Sequence, residues 1–234
     1  MSSEKAPSVK EPSVKELYFS YFIGRCNPPH QGHFHMINGA ITAARENSGK
    51  ALILLGSGPK AKFGIDRRTE KDPLIFNLKK EIIENNINCV NDESVKDEKQ
   101  EVELESVILE ESNYEIVEMT NPTAQVIEFV ETELQSQLSN NNEDTLIKIT
   151  VEHFCGEKEL EDEHKMRFYR VIQEKLIEKI TNVENNYYYN VEINTDIKKG
   201  NVSNEAGASM SATQIRTVAF NSKDDFEENY SCLY

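Results

Sequence analysis

Ten consecutive residues, Gly24-Arg25-Cys26-Asn27-Pro28-Pro29-His30-Gln31-Gly32-His33, hold the side chains best spaced for joint chemistry. Asn-Pro-Pro is stiff and unsuited to a helix interior, so a helix must begin at or just after it. His30 and His33 then stand three apart at a helix start, which puts both rings on one face of the first turn. The unpaired N–H groups and the dipole of that turn favour an anion there. Gly32, between the two rings, lets phosphates lie close to the backbone. Two imidazoles over a helix N-terminus suit phosphate binding better than activation of a nucleophile, and no serine or cysteine stands beside a paired base. A zinc site built on the His30, His33, His35 run is the alternative chemistry, but His35 falls on another side of the helix.

The elements around this run must hold it at the edge of a sheet. Leu17 to Ile23 is a short aromatic and apolar stretch that reads as a buried strand ending at Gly24. A helix fits His33 to Asn47, with Met36, Ile37, Ala40, Ile41 and Ala44 at helical spacing, and Asn47-Ser-Gly49 stops it. Ala51 to Leu55 is a second buried strand. A helix follows from about Pro73, with Ile75, Leu78, Ile82 and Ile83 on one face. Strands are expected again at Tyr114–Met119, Leu146–Val151 and Tyr187–Ile193, and helices at Asn121–Leu138, Leu160–Thr181 and Thr213–Asn221. Asn121 is the expected cap of its helix, with Pro122 in the first turn. Strands and helices in alternation predict an α/β fold: a Rossmann-like, doubly wound parallel sheet of about five strands. In such sheets ligands bind at the carboxyl ends of the strands, where the histidine run lies.

Composition narrows the classes of function. The chain has 234 residues, which suits one domain with an insertion. Its 41 acidic and 26 basic residues give a net charge of −15, a poor footprint for nucleic acid. The acidity is regional: between Cys89 and Thr145 stand 16 acidic residues against 2 basic ones. Residues 89–113 read as a solvated acidic insertion. Residues 1–16 contain Pro-Ser-Val-Lys-Glu twice in succession and read as a disordered tail, which leaves 17–234 as the domain. No apolar run approaches a membrane span and the N-terminus does not read as a signal peptide, so no membrane association is expected. Cys26, Cys89, Cys155 and Cys232 are too scattered for a disulfide framework or a cysteine zinc site. The expected compartment is the cytoplasm, with the nucleus left open.

The string from Gly24 to His33 closely resembles the G-R-F-N-P-P-H-x-G-H signature of the nucleotidylyltransferase superfamily, in the form found in nicotinamide mononucleotide adenylyltransferases. Ser211-Ala212-Thr213-Gln214-Ile215-Arg216 resembles the superfamily's second motif near the C-terminus. Leu55-Gly56-Ser57 with Ala61-Lys62, Lys71-Asp72-Pro73 and Gly156-Glu157-Lys158-Glu159 are weaker matches. Together they span about residues 17 to 220, apart from the acidic insertion.

The resemblance implies adenylyl transfer. The phosphate of a pyridine mononucleotide attacks the α-phosphorus of ATP, and pyrophosphate leaves. His30 and His33 would then donate to the α- and β-phosphates, and Arg216 would hold the β- and γ-phosphates with its planar fork. Ser211 and Thr213 would offer hydroxyls from a helix cap. Gly24, Arg25, Asn27 and Gly32 would line the nucleotide crevice, and Lys158 would reach a phosphate or pair with Glu159. The basic segment Lys60, Lys62, Arg67, Arg68 and Lys71 is a further candidate for phosphate contact. Mg2+ is implied because ATP brings it; no carboxylate cluster stands out as a cage, so no metal ligands are named.

Three departures bear on the acceptor. Cys26 replaces the usual aromatic or small residue, and Asn77-Leu-Lys79 stands where the family tends to carry an acidic pair and Arg. The chain also has no Trp to stack on a pyridine ring, so a Tyr or Phe must serve. Two other readings therefore stand beside the first. One is transfer to another phosphorylated acceptor, or from CTP. The other is a non-catalytic nucleotide-binding scaffold that docks a partner through the acidic insertion. A homo-oligomer is left open.

Overall fold

The computed structural model describes residues 13–56, 74–94, 113–138, 145–181 and 191–199, with the side chains of 88–94 and 138 excepted. The elements in chain order are β1 (Ser13–Gly24), α1 (Gln31–Glu46), β2 (Lys50–Leu55), α2 (Phe76–Ser94), β3 (Tyr114–Glu118), α3 (Pro122–Leu138), β4 (Thr145–Cys155), α4 (Glu157–Leu160), α5 (Glu163–Thr181) and β5 (Val191–Lys199). The strands form one sheet in the order β3-β2-β1-β4-β5, and every neighbouring pair is parallel. Chain order reverses between β1 and β4. The fold is therefore a Rossmann-like, doubly wound parallel sheet, with its topological switch point beside the end of β1.

Two cores flank the sheet because side chains alternate across each strand. Phe22, Ile53, Leu55 and Phe154 face α1 and α2. Phe19, Tyr21, Ile23, Leu54, Ile149 and Val151 face α3 and α5. Helix α1 lies close on the sheet. Its Ala40 and Ala44 have no exposed surface, and Ser20, fully buried on β1, donates its hydroxyl to the Ala40 carbonyl at 2.7 Å. Gly39 leaves room for the Phe154 ring, which a Cβ would meet at 3.4 Å. Among the described residues no helix is long and apolar enough to cross a membrane.

Several boundaries differ from the sequence reading, each for a physical reason. Strand β1 starts at Ser13, so residues 13–16 belong to the sheet and not to a disordered tail. Backbone pairing of Ser13 with Thr145 and Val14 with Leu146 carries the ladder past the apolar run, although Val14 is half exposed. Residues 1–12 lie outside the described residues. The expected helix from Leu160 to Thr181 is α5, which starts three residues later at Glu163, after the separate one-turn helix α4 has ended at Leu160. Asp162 separates them, its Oδ1 accepting from the N–H groups of His164 and Lys165 as a cap does. The last strand is Val191–Lys199, which starts four residues and ends six residues later than expected. Helix α2 begins at Phe76 and runs to Ser94, so the first residues of the acidic stretch are helical. Its buried face also differs. Ile75 and Leu78 are exposed, while Lys79, Ile83 and Ile87, four residues apart, point inward. Asn121 caps α3 as expected, its Oδ1 accepting from the Ala124 N–H at 3.2 Å.

The turn between α1 and β2 generates a prediction. The helix ends in a Schellman arrangement: the Ser48 N–H donates to Arg45 and the Gly49 N–H to Ala44. Ser48 has a φ of 51°, in the left-handed region. Gly49 stands where a Cβ would lie 2.1 Å from the Tyr18 carbonyl oxygen. Gly49→Ala should therefore destabilise the protein by about 2 kcal/mol or more, because the obstacle is backbone. Ser48→Gly should stabilise it by up to about 1 kcal/mol. Denaturant midpoints of the two variants check both signs, and equal effects would contradict the assignment.

Candidate functional site

Gly24 closes β1 opposite Leu55, the last residue of β2. A Cβ on Gly24 would lie 2.5 Å from the Phe22 ring, so only glycine lets the chain turn back over that ring. Cys26 has a φ of 45°, the Asn27–Pro28 peptide bond is cis, and α1 starts at Gln31. The helix therefore begins just after Asn-Pro-Pro, as the stiffness of that run requires. His30 is the cap residue. Its carbonyl accepts from the N–H groups of His33 and Phe34 at 2.8 and 3.1 Å, while its side chain makes no cap hydrogen bond. The ring is free for another use.

The two imidazoles come together as their spacing predicts. Their centroids are 3.8 Å apart and their planes 38° from parallel. The His30 ring lies against Gly32, where a Cβ would stand 3.1 Å from it. The Phe22 ring meets His33 edge-on at 6.5 Å. Neither Nδ1 atom has a hydrogen-bond partner, and both are buried. Burial pushes the His30 pKa down to about 4. Burial, then the charge of a protonated His30, then that of Lys79, push His33 down to about 3. His33 as a residue is half-buried, and its Nδ1 is fully buried. At neutral pH the pair is uncharged, which is why two imidazoles can stack so closely.

The other predicted residues around the turn divide by burial. Asn27 is buried within the turn and Arg25 is exposed. The Arg25 stem crosses Gly56, where a Cβ would stand 3.2 Å from its Cγ. Lys158 is exposed on α4, beyond the end of β4. Its neighbour Glu159 pairs with Lys165 at 2.7 Å. His35 is exposed and turned away from the pair, and among the described residues no three His, Cys, Asp or Glu side chains converge as metal ligands. Cys26 and Cys155 are free, buried thiols, and burial raises both above the usual thiol range. Ser211, Thr213 and Arg216 lie outside the described residues, as do Lys60, Lys62, Arg67, Arg68 and Lys71.

Two features escaped the sequence reading. Lys79 is fully buried, and its Nζ donates to the Gly56 carbonyl at 2.6 Å. The available signal was its place four and eight residues before Ile83 and Ile87, in line with the apolar face. The second feature is His153, at the end of β4 beside Tyr21 of β1. Its ring is fully buried, 4.6 Å from the Tyr21 ring and 4.0 Å from that of Tyr169 on α5. Neither ring nitrogen has a side-chain partner, and burial lowers its pKa to about 3. One histidine within a strand carries no sequence signal for such a sandwich.

No protein-family model matches the chain, and no curated protein sequence does. Among solved structures, the crystal structure of a bifunctional NMN adenylyltransferase/ADP ribose pyrophosphatase from Francisella tularensis is similar at 17% identity, with a TM-score of 0.39. The similarity covers 87% of this chain and 42% of that one, so the chain spans less than half the length of that protein. The fold assignment rests on the strand order and pairing described above.

The three depressed histidines set the acid behaviour. Each is uncharged when folded and takes up a proton more readily when unfolded, so the unfolded state binds more protons below the ordinary histidine pKa. Stability should therefore be flat above pH 6.5 and fall steadily from about 6.5 towards 3. Urea midpoints measured from pH 8 to pH 4 check this. His153→Phe should flatten the slope, because it removes the most deeply buried of the three rings.

Proposed function

We propose that this chain is a nucleotidylyltransferase that joins ATP to a pyridine mononucleotide, nicotinamide mononucleotide or its acid form, giving the dinucleotide and pyrophosphate. The observation that carries the reading is the stacked, uncharged pair of imidazoles at the first turn of α1, beside the sheet's switch point. The choice of a pyridine acceptor draws on the resemblance of residues 24–33 and 211–216 to the adenylyltransferase motifs.

The chemistry asks little of the protein beyond orientation and charge. The attacking phosphate oxygen is already an anion, so no general base is needed. The new bond forms between that oxygen and the α-phosphorus of ATP. The bond from the α-phosphorus to the bridging oxygen breaks, and the electron pair leaves with pyrophosphate. Imidazole N–H groups directed at the α- and β-phosphates stabilise the charge that gathers there, with the α1 amides behind them. In this proposal His30, His33 and Arg216 are the catalytic residues, Arg216 holding the departing pyrophosphate. Gly24, Arg25, Asn27, Gly32, Ser211, Thr213 and Lys158 bind the nucleotide. Mg2+ enters with ATP as part of the substrate, held largely by phosphates and water.

Pyrophosphate release from ATP, scored with nicotinamide mononucleotide, its acid form and a panel of other phosphorylated acceptors, tests the reading. Dinucleotide formed with neither pyridine nucleotide would overturn it. Within that assay His33→Ala should lower kcat/KM by about 10²–10³ while the melting temperature changes little.

Binding itself should depend on pH. A bound polyanion favours the imidazolium form, so it raises the histidine pKa values and draws protons in. ATP affinity should then increase as pH falls towards the free-state values of about 4 for His30 and about 3 for His33. Calorimetry in buffers of different ionisation enthalpy should register proton uptake in the wild type, and less in His33→Ala. Uptake that is equal in the two proteins would place the protons elsewhere.

A further inference from the structure

We propose that the cavity between α3 and β3 is a second binding site, which takes a small organic cation: an ammonium or guanidinium group on an apolar body. It lies on the face of the sheet opposite α1, apart from the histidine pair, and does not depend on the phosphate reading of that pair.

The cavity has a volume of about 310 Å³. That is the lower end of the roughly 300–1,000 Å³ of small-molecule sites. It exists because α3 packs over β1 and β2, while β3 carries the sheet one strand further. Leu52, Leu54, Val117 and Phe129 supply its apolar surface. Strand register sets Glu115 beside Leu52 and Val117 beside Leu54. The two leucines are buried, whereas Val117 and Phe129 are only partly covered. The Phe19 and Phe129 rings meet edge-on at 5.7 Å, which holds the Phe129 ring in place. An apolar body seated against Val117 and Phe129 removes their remaining surface from water.

Charge selects the head group. Glu115, Glu128 and Glu133 line the cavity against one ammonium, that of Lys50. Lys50 and Glu133 answer each other at 2.7 Å, and Gln137 donates to the second Glu133 oxygen at 2.9 Å. Gln125 is committed to backbone: its Oε1 accepts from the Thr120 and Asn121 N–H groups, and its Nε2 donates to the Glu118 carbonyl. Among the described residues, no hydrogen bond or ion pair engages Glu115 on β3 or Glu128 on α3. Two unanswered carboxylates therefore stand over a partly exposed apolar wall. An anion would be repelled by both, and a neutral apolar molecule would leave both unanswered. Both carboxylates are exposed, so water and salt weaken their pull. A bare inorganic cation would gain nothing from the walls. A cation on an apolar body uses both surfaces, and the Phe129 ring adds attraction if the charge sits over its face.

The probe is phenethylammonium, titrated into the full chain and followed by chemical-shift changes, beside the uncharged 2-phenylethanol and the anionic 3-phenylpropionate. Phenethylammonium should bind, the alcohol more weakly and the carboxylate not at all. The double variant Glu115→Gln/Glu128→Gln should bind it about fivefold more weakly, and added salt should weaken the wild type but not that variant. Thr132→Trp, which reaches into the cavity from an exposed position on α3, should abolish binding. His33→Ala should bind as the wild type does. Melting temperatures near that of the wild type check that the variants fold, since all three cavity substitutions are at exposed positions. No binding of phenethylammonium would overturn the proposal, as would equal binding of the alcohol or undiminished binding by the double variant or Thr132→Trp. Loss of binding in His33→Ala would also overturn it, by placing the cation at the histidine turn.

Discussion

The close approach of α1 to β1 sets the position of everything at the candidate site. Ser20 on β1 bonds the Ala40 carbonyl, and Ala40 and Ala44 leave no gap between helix and sheet. A helix held that near its strand must leave it through a compact turn. The turn is Gly24 to His30, with glycine where a Cβ would strike the Phe22 ring and a cis Asn27–Pro28 bond. The helix then begins over the end of β1, next to the point where strand order reverses. His30 and His33 stack because the short turn brings both to the start of the helix.

Burial supplies the second property of the pair. Solvated imidazoles titrate near neutrality and repel when both are charged. Here desolvation keeps them neutral, so they can sit ring to ring. Two charged rings at that separation would repel each other. The same burial makes the site sensitive to acid, as it does for His153 between Tyr21 and Tyr169. The acid sensitivity of the pair and of His153 thus comes from one cause, the removal of water from imidazole.

Most of the architecture is legible in the sequence. The apolar stripe Met36, Ile37, Ala40, Ile41, Ala44 is the buried face of α1, and Ala51 to Leu55 is a buried strand. The Asn-Pro-Pro run marked the start of α1, and the three-residue spacing of His30 and His33 put their rings together. Element ends were less legible. Strand β1 outruns its apolar core because a ladder is continued by backbone hydrogen bonds, to which side-chain hydropathy is blind. The start of α5 is set by Asp162, whose side chain accepts from the His164 and Lys165 N–H groups, and not by the apolar period, which is blind to it.

The residues themselves determined the period of each element, the alternation that makes a doubly wound sheet and the chemistry gathered between Gly24 and His33. These are local properties, set by sterics and side-chain type within a few residues. Tertiary structure alone decided the depressed charge of the histidines, the sandwich around His153 and the turning of Lys79 into the core in place of Leu78. Each depends on which distant groups exclude water from a given atom. The buried Lys79 amine donates to the carbonyl of Gly56, 23 residues away, and nothing adjacent to Lys79 in the chain announces that bond.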